Sequence, residues 1–251
     1  MQKRFEGKTA VVTGASGGIG AAMAKRFAAE GAAVVVSAID PRVDDVAASL
    51  KASGAKVASM RMDVTRKDEV AALYDLAEKE FGRVDISVQN AGVITIARIE
   101  AMTEAEWDKV MAVNTKGVFL CCQEAILRMR KHGEGGRLIN TASGQARQGF
   151  IYAPHYAASK FGVVGITQSL AKEVAKEKIT VNAICPGIIL TEMGKNNLGS
   201  EAAIRHWEDV AALKRLGAPE DVVGPVLFFA SDLSAFVTGQ SLNVDGGIYY
   251  H

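Results

Sequence analysis

Only three of the 251 residues are cysteine, and their number and placement do not suit a disulfide framework: the count is odd, Cys121 and Cys122 are adjacent, and Cys185 is distant. Reduced thiols in a core, and with them a cytoplasmic location, are the expectation. Histidine is nearly as scarce. His132, His155, His206 and His251 stand far apart and make no metal-ligand spacing with cysteine or carboxylate, so no catalytic metal is expected. Neither sign of charge dominates: 29 Lys and Arg against 28 Asp and Glu leave a net charge of +1. That balance offers no footprint for nucleic acid or for an anionic membrane. No stretch approaches ~18 uninterrupted apolar residues. The opening run Met1-Gln2-Lys3-Arg4-Phe5-Glu6-Gly7-Lys8 has neither the apolar segment nor the small-residue cleavage site of a secretory signal. Linkers, repeats and low-complexity tracts are missing as well, which makes residues 1–251 a single expected domain. With 49% hydrophobic residues that domain can bury a sizeable core. These absences leave small-molecule chemistry.

What is present is an alternation. Short β-branched runs at 9–12, 34–37, 57–60, 84–89, 137–141, 180–184 and 241–244 read as seven strands. Between them, 18–30, 42–53, 67–81, 104–129, 154–176 and 219–230 carry helix-forming residues, several entered through Asp, Thr or Pro and left at Gly. Strand and helix in alternation imply an α/β fold, a doubly wound (Rossmann) parallel sheet of seven strands with helices on both faces. Residues 188–213 fit neither pattern. A long irregular segment after a strand's carboxyl end overhangs the ligand crevice of such a sheet, and a substrate lid is expected there.

The first strand runs into Thr13-Gly14-Ala15-Ser16-Gly17-Gly18-Ile19-Gly20 and then directly into a helix. Glycine permits the tight turn and close backbone approach, and a helix N-terminus offers unpaired amides and a positive dipole end. A dinucleotide pyrophosphate is therefore expected at Gly14, Ser16, Gly18, Ile19 and Gly20. Far downstream, Tyr156 and Lys160 are four apart, on one face of a helix, so a phenol and an ammonium can share a cavity. A cation about 5 Å from the phenol, at an effective dielectric of ~20, would lower its pKa by about two units. The bland alternative is a buried helix turn whose lysine snorkels outward.

The spacing Gly14-x-x-x-Gly18-x-Gly20, taken with Asn90-Ala91-Gly92, Asn114, Ser143, Tyr156, Lys160 and Pro186-Gly187, resembles the short-chain dehydrogenase/reductase family over the whole chain. Gln89 stands where that family commonly has asparagine. The resemblance implies an NAD(P)-dependent oxidoreductase that interconverts a secondary alcohol and a ketone. Ser143 would bind the substrate oxygen, Tyr156 would exchange the proton, and Lys160 would bind the nicotinamide ribose and lower the phenol's pKa. Asn114 would hold a water in a proton relay from Lys160 to solvent. Asp63 and Val64 would meet the adenine, and Asn90, Ala91 and Gly92 the ribose. Pro186, Gly187, Ile189 and Thr191 would hold the nicotinamide. Asp63 reads equally well as a turn cap, Asn114 as a polar residue bonding to neighbouring backbone, and Ser143 as a turn hydroxyl. The family also implies a homotetramer, with helices 104–129 and 154–176 as candidate interfaces.

The end of the second strand, Ser37-Ala38-Ile39-Asp40-Pro41-Arg42, bears on NAD against NADP. An acidic residue there accepts from the ribose 2′-hydroxyl and repels a 2′-phosphate, whereas a basic one attracts it. Ala38 occupies the usual acidic position, Asp40 lies two further on, Arg42 is within reach, and Gly17 leaves the glycine loop uncharged. NAD is favoured and NADP is the alternative; Asp40 also reads as a simple helix cap. Substrate-pocket candidates are Ser143, Gly144, Gln145, Arg147, Phe150, Ile151, Tyr156, Ile188, Met193 and Trp207. Gln145 and Arg147 suit hydroxyls or an anion, and the aromatic residues suit apolar surface. Small polyols, sugars or hydroxyketones fit one reading, and 3-oxoacyl thioesters reduced with NADPH fit the other. A non-catalytic dinucleotide sensor would not need the serine. A serine hydrolase is disfavoured because Thr141-Ala142-Ser143 lacks the glycine of a nucleophile elbow, and His155 is expected to point away from the Tyr156 face.

Overall fold

Alternate side chains of the first two strands face opposite layers, and that alternation organises the molecule. In the computed structural model, which describes residues 3–250, Ala10, Val12, Val34 and Val36 join one buried cluster, and Val11 and Val35 join the other. His251 lies outside the described residues, as do Met1 and Gln2. Period-two alternation with both sets apolar requires cover on both faces of the sheet. The strands are β1 (Thr9–Thr13), β2 (Ala33–Ala38), β3 (Val57–Arg61), β4 (Ile86–Gln89), β5 (Gly136–Thr141), β6 (Ile179–Pro186) and β7 (Ser241–Val244). They form one sheet in the order 3-2-1-4-5-6-7, every pair parallel. The order reverses between β1 and β4, which opens a crevice at their carboxyl ends.

One face is covered by α1 (Gly18–Ala29), α2 (Arg42–Ala52) and α9 (Pro219–Ala230), through Met23, Phe27, Leu50 and Val226. The other is covered by α3 (Lys67–Phe81), α5 (Gly117–His132) and α6 (Pro154–Val174), through Leu73, Tyr74, Met129 and Val163. The expected strand at 84–89 begins two residues later, at Ile86, and the Val84 carbonyl accepts from His132 Nε2 at 2.9 Å. The expected helix at 104–129 is three pieces: α4 (Glu104–Met111), a π-helical turn (Ala112–Lys116) and α5. Together they make a helical run, Glu104–His132, long and apolar enough to cross a membrane; more than half of its most apolar window is buried within the fold. It packs as a core helix.

The segment expected to be irregular is also helical. α7 (Glu192–Leu198) and α8 (Glu201–Val210) start from Thr191 and Ser200, whose hydroxyls accept from the Gly194 and Ala203 amides at 3.0 and 3.2 Å. Neither helix fully buries a residue; α7 rests on its cap, and α8 also has a half-buried apolar stripe, Ala203, Ile204 and Trp207.

Candidate active site

At the β1–α1 junction the glycines are fixed by crowding. Gly14 adopts φ +66°, and a Cβ there would lie 2.7 Å from Ala91 Cα; one on Gly20 would lie 2.3 Å from the Gly14 carbonyl oxygen. The turn is thereby packed onto the Asn90–Ala91 segment after β4, where Asn90 Nδ2 donates to the Thr13 and Gly14 carbonyls, both at 3.0 Å. α1 starts without a side-chain cap, so its first amides open onto a cavity of about 870 Å³ along the carboxyl ends of the strands. Uncapped amides at a positive helix end, facing a crevice, fit a dinucleotide pyrophosphate.

Gly14, Ser16, Gly18, Ile19 and Gly20 all line this cavity. So do Asp40, Asp63, Val64 and the Asn90-Ala91-Gly92 turn. On the far side it is bounded by Pro186, Gly187, Ile189 and Thr191, and Ser143, Tyr156 and Lys160 complete the wall. Asp63 also serves as a turn cap, accepting from the Thr65 amide at 2.9 Å. Asp40 does the same for α2, accepting from the Arg42 amide at 2.9 Å, while its carboxylate pairs with the Arg42 guanidinium.

Asn114 stands behind the wall, fully buried in the π-helical turn. Its Oδ1 accepts from the Val93 amide at 2.8 Å, and its Nδ2 donates to the Val93 carbonyl at 2.9 Å and to Ser159 Oγ at 3.1 Å. The two bonds to Val93 fix the Gly92–Val93 backbone beside Lys160, and the third ties the side chain to α6. The lysine is 3% exposed; its Nζ donates to the Thr141 carbonyl at 2.8 Å and lies 5.5 Å from the centre of the Tyr156 ring. Snorkelling is therefore excluded.

The acidity of the phenol departs from expectation. Burial pushes the Tyr156 hydroxyl above its ordinary value, with the Ser143 hydroxyl acting in the opposite sense, and burial brings Lys160 down to about 8. An ammonium that is itself desolvated, and directed at a main-chain carbonyl, does not offset the cost of burying a phenolate. In the chain alone the phenol keeps its proton. Ser143 Oγ accepts from the Gln145 amide at 3.1 Å, opening a short 3₁₀ turn (Gly144–Ala146).

Of the substrate candidates, Gly144, Gln145, Phe150, Ile188, Met193 and Trp207 line the cavity. Phe150 and Trp207 pair with ring centres 6.3 Å apart. Arg147 is a correction: it turns away, its Nε bonding Asn243 Oδ1 at 3.0 Å and its Nη2 the Ser241 carbonyl, because the 3₁₀ turn sets it toward β7. Ile151 is 70% exposed and does not line the cavity. His155 is buried, bonded through Nε2 to Thr95 Oγ1 at 2.7 Å. Residues not foreseen also line the wall: Ile94 and Ile96 after the Asn-Ala-Gly turn, Lys109 on α4, Glu192 on α7, and Tyr249. Tyr249 lies against Gly144, where a Cβ would sit 2.5 Å from Cε2. No local motif marks these residues; only the tertiary fold brings them in. Among the described residues, no group of three His, Cys, Asp or Glu could hold a metal ion.

A Rossmann sheet with an uncapped glycine turn at its switch point and a Ser, Tyr and Lys wall defines a nicotinamide-dependent oxidoreductase class. The comparisons agree: a family model described as enoyl-(acyl carrier protein) reductase matches residues 14–249. The chain is 39% identical to 2-dehydro-3-deoxy-D-gluconate 5-dehydrogenase of Escherichia coli (strain K12), over 97% of this chain and 96% of that one. It is 37% identical to L-rhamnose 1-dehydrogenase (NAD(P)(+)) of Sphingomonas sp. (strain SKA58), over 98% of each. It is 38% identical to 3-oxoacyl-(acyl-carrier-protein) reductase FabG of Thermotoga maritima, over 98% of this chain and 99% of that one. A solved structure of levodione reductase matches with a TM-score of 0.93 at 32% identity, covering 97% of this chain and 98% of that one. The chain belongs to the short-chain dehydrogenase/reductase family. It is an NAD(P)-dependent oxidoreductase acting on CH–OH groups.

Proposed function

We propose that the substrate is a small polyol, sugar or hydroxyketone. The observation that carries this reading is Gln145: its Oε1 is buried without a hydrogen-bond partner in a residue of the cavity wall. A buried acceptor left unpaired costs about 1–3 kcal/mol, and rotation of the Gln145 amide toward the cavity, where a substrate hydroxyl could donate to it, would recover that cost. Arg147 is already bonded to Asn243 and Ser241 and offers the substrate no guanidinium, whereas Lys109 stands on the cavity wall. Two relatives act, by name, on sugar-like compounds.

The roles follow from position. Tyr156 exchanges the proton with the substrate oxygen, Ser143 donates a hydrogen bond to that oxygen, and Lys160 orients the ribose and restores the phenol's proton balance. When bound, the coenzyme supplies the carbon that gives or takes the hydride. The Asn114 side chain is committed to Val93 and Ser159, so a relay through this residue has to use its main-chain carbonyl, shifted out of α-helical register by the π-turn. NAD is the preferred coenzyme because Arg42, the cation beside Asp40 on the cavity wall, is already held by carboxylates. The assembly is a homotetramer. A cytoplasmic location suits the three buried free thiols.

A second reading, reduction of a 3-oxoacyl thioester with NADPH, is favoured by the apolar surface of Phe150, Trp207 and Met193 and by the FabG relative. A panel of neutral polyols and aldoses, sugar acids and 3-oxoacyl thioesters, followed by nicotinamide absorbance with each coenzyme, separates the two. Polyhydroxy compounds, neutral or acidic, should give a kcat/KM at least about tenfold above the thioesters, the worth of one well-made hydrogen bond to an otherwise unpaired group. Preference for a thioester would overturn the reading.

A further inference from the structure

The guanidinium of Arg42 is shared between two parts of the chain that are remote in sequence. Its Nε and Nη2 donate to Asp40 Oδ2 at 2.9 and 2.7 Å, and its Nη1 donates to Glu192 Oε2 at 3.0 Å, across 150 residues. All three residues line the coenzyme cavity. Glu192 is the first residue of α7, directly after Thr191, whose methyl lies over the glycine turn: a Cβ on Gly18 would be 2.9 Å from Thr191 Cγ2. The contact therefore bridges the lid to the end of β2, where a nucleotide ribose sits at a Rossmann switch point.

We propose that Glu192 sets coenzyme preference by competing with a ribose 2′-phosphate for the guanidinium of Arg42. A phosphate is best met by two parallel N–H donors, and both edges of this guanidinium are engaged, so a 2′-phosphate must displace one carboxylate. Asp40 is the harder one to displace. It is two residues from Arg42, accepts that residue's main-chain amide, and takes two guanidinium donors. Glu192 makes one contact and is 71% exposed. It yields first, and in doing so releases α7 from the start of α2. A coenzyme with a free 2′-hydroxyl makes no such demand and leaves the bridge in place. Coenzyme identity is thereby read in part by a lid residue far from the strand that usually decides it.

The experiment measures equilibrium binding of NADH and NADPH, by coenzyme fluorescence without substrate, to the full chain carrying Glu192→Gln, Arg42→Ala, or both. Glu192→Gln should tighten NADPH about two- to five-fold, the worth of one exposed ion pair, and move NADH less than about two-fold. Arg42→Ala should weaken NADPH, and in that background Glu192→Gln should have no further effect. An equal gain with and without Arg42 would mean that the carboxylate merely repels phosphate through space, and would overturn the proposal. It also fails if NADPH affinity is unmoved by Glu192→Gln or if both coenzymes tighten alike. NADH binding by the unaltered chain tests the dinucleotide site separately.

Discussion

Lys160 holds a charge where the fold least favours one. It is nearly fully buried, has one carbonyl partner, and burial lowers its pKa from 10.5 to about 8, so near neutral pH the folded state carries a desolvated ammonium. Between pH 8 and 10.5 the unfolded chain binds the proton that the folded chain has lost, so stability rises with pH across that window, and the penalty is full below it. Lys160→Met should therefore raise stability at pH 7 by about 1–3 kcal/mol in urea titrations, with the gain shrinking toward pH 10.5, while turnover is lost. Tyr156→Phe should also abolish turnover but leave coenzyme affinity within a few-fold. A Lys160→Met variant less stable than the parent at pH 7 would mean that the ammonium holds the site together. The Tyr156–Lys160 spacing was legible as one face of a helix, but the direction of the phenol's pKa was not. It depends on how much solvent each group loses, which only packing determines. For the same reason Gln145 and Arg147 read alike as pocket residues. What separates them is Asn243, 96 positions from Arg147.

At the scale of elements, strands and core helices were legible because buried faces impose periodicity. The alternation of Ala10, Val11 and Val12 between two clusters is that signal. The π-helical turn has no such mark, since it shifts hydrogen bonds without changing the apolar pattern around it. α8 does carry such a mark, the half-buried stripe Ala203, Ile204 and Trp207, over only ten residues; α7 does not, since it buries no residue and contains Gly194 and Asn196-Asn197. Gly194 is required there despite its poor helix propensity: a Cβ would lie 2.1 Å from the Ile189 carbonyl oxygen. Helices held by caps and edge contacts open at low cost, and the cavity they border is the one a coenzyme would fill. Limited proteolysis should therefore cut first near Gly199 and Ser200, and coenzyme at about ten times its Kd should slow that cut roughly tenfold. Cleavage that begins elsewhere, or that coenzyme does not slow, would show that the lid is not coupled to the site.

At the scale of the whole molecule, the covering helices leave apolar surface uncovered. Trp107, Phe119, Leu127 and Phe161, on α4, α5 and α6, are each at least 40% exposed. A groove of about 470 Å³ lies beside them, lined by Met111, Ala112, Thr115, Lys116, Phe119 and Ile166. Exposed apolar side chains on adjoining helices are the kind of surface that association covers. The same π-helical turn that directs Asn114 inward to Val93 and Ser159 presents Ala112, Thr115 and Lys116 to this groove. A partner seated there would brace the turn, so association and the order of the Gly92–Val93 backbone are coupled through one element. Light scattering should give a mass near four times 26.6 kDa for the unaltered chain. The double substitution Phe119→Glu and Phe161→Glu should lower that mass, since charge placed in a desolvated interface costs several kcal/mol, while circular dichroism remains that of the folded chain. Turnover should fall along with the mass, because the turn loses its brace. A parent chain that scatters as a 26.6 kDa species, or a variant that keeps both its mass and its turnover, would show that this face does not join subunits.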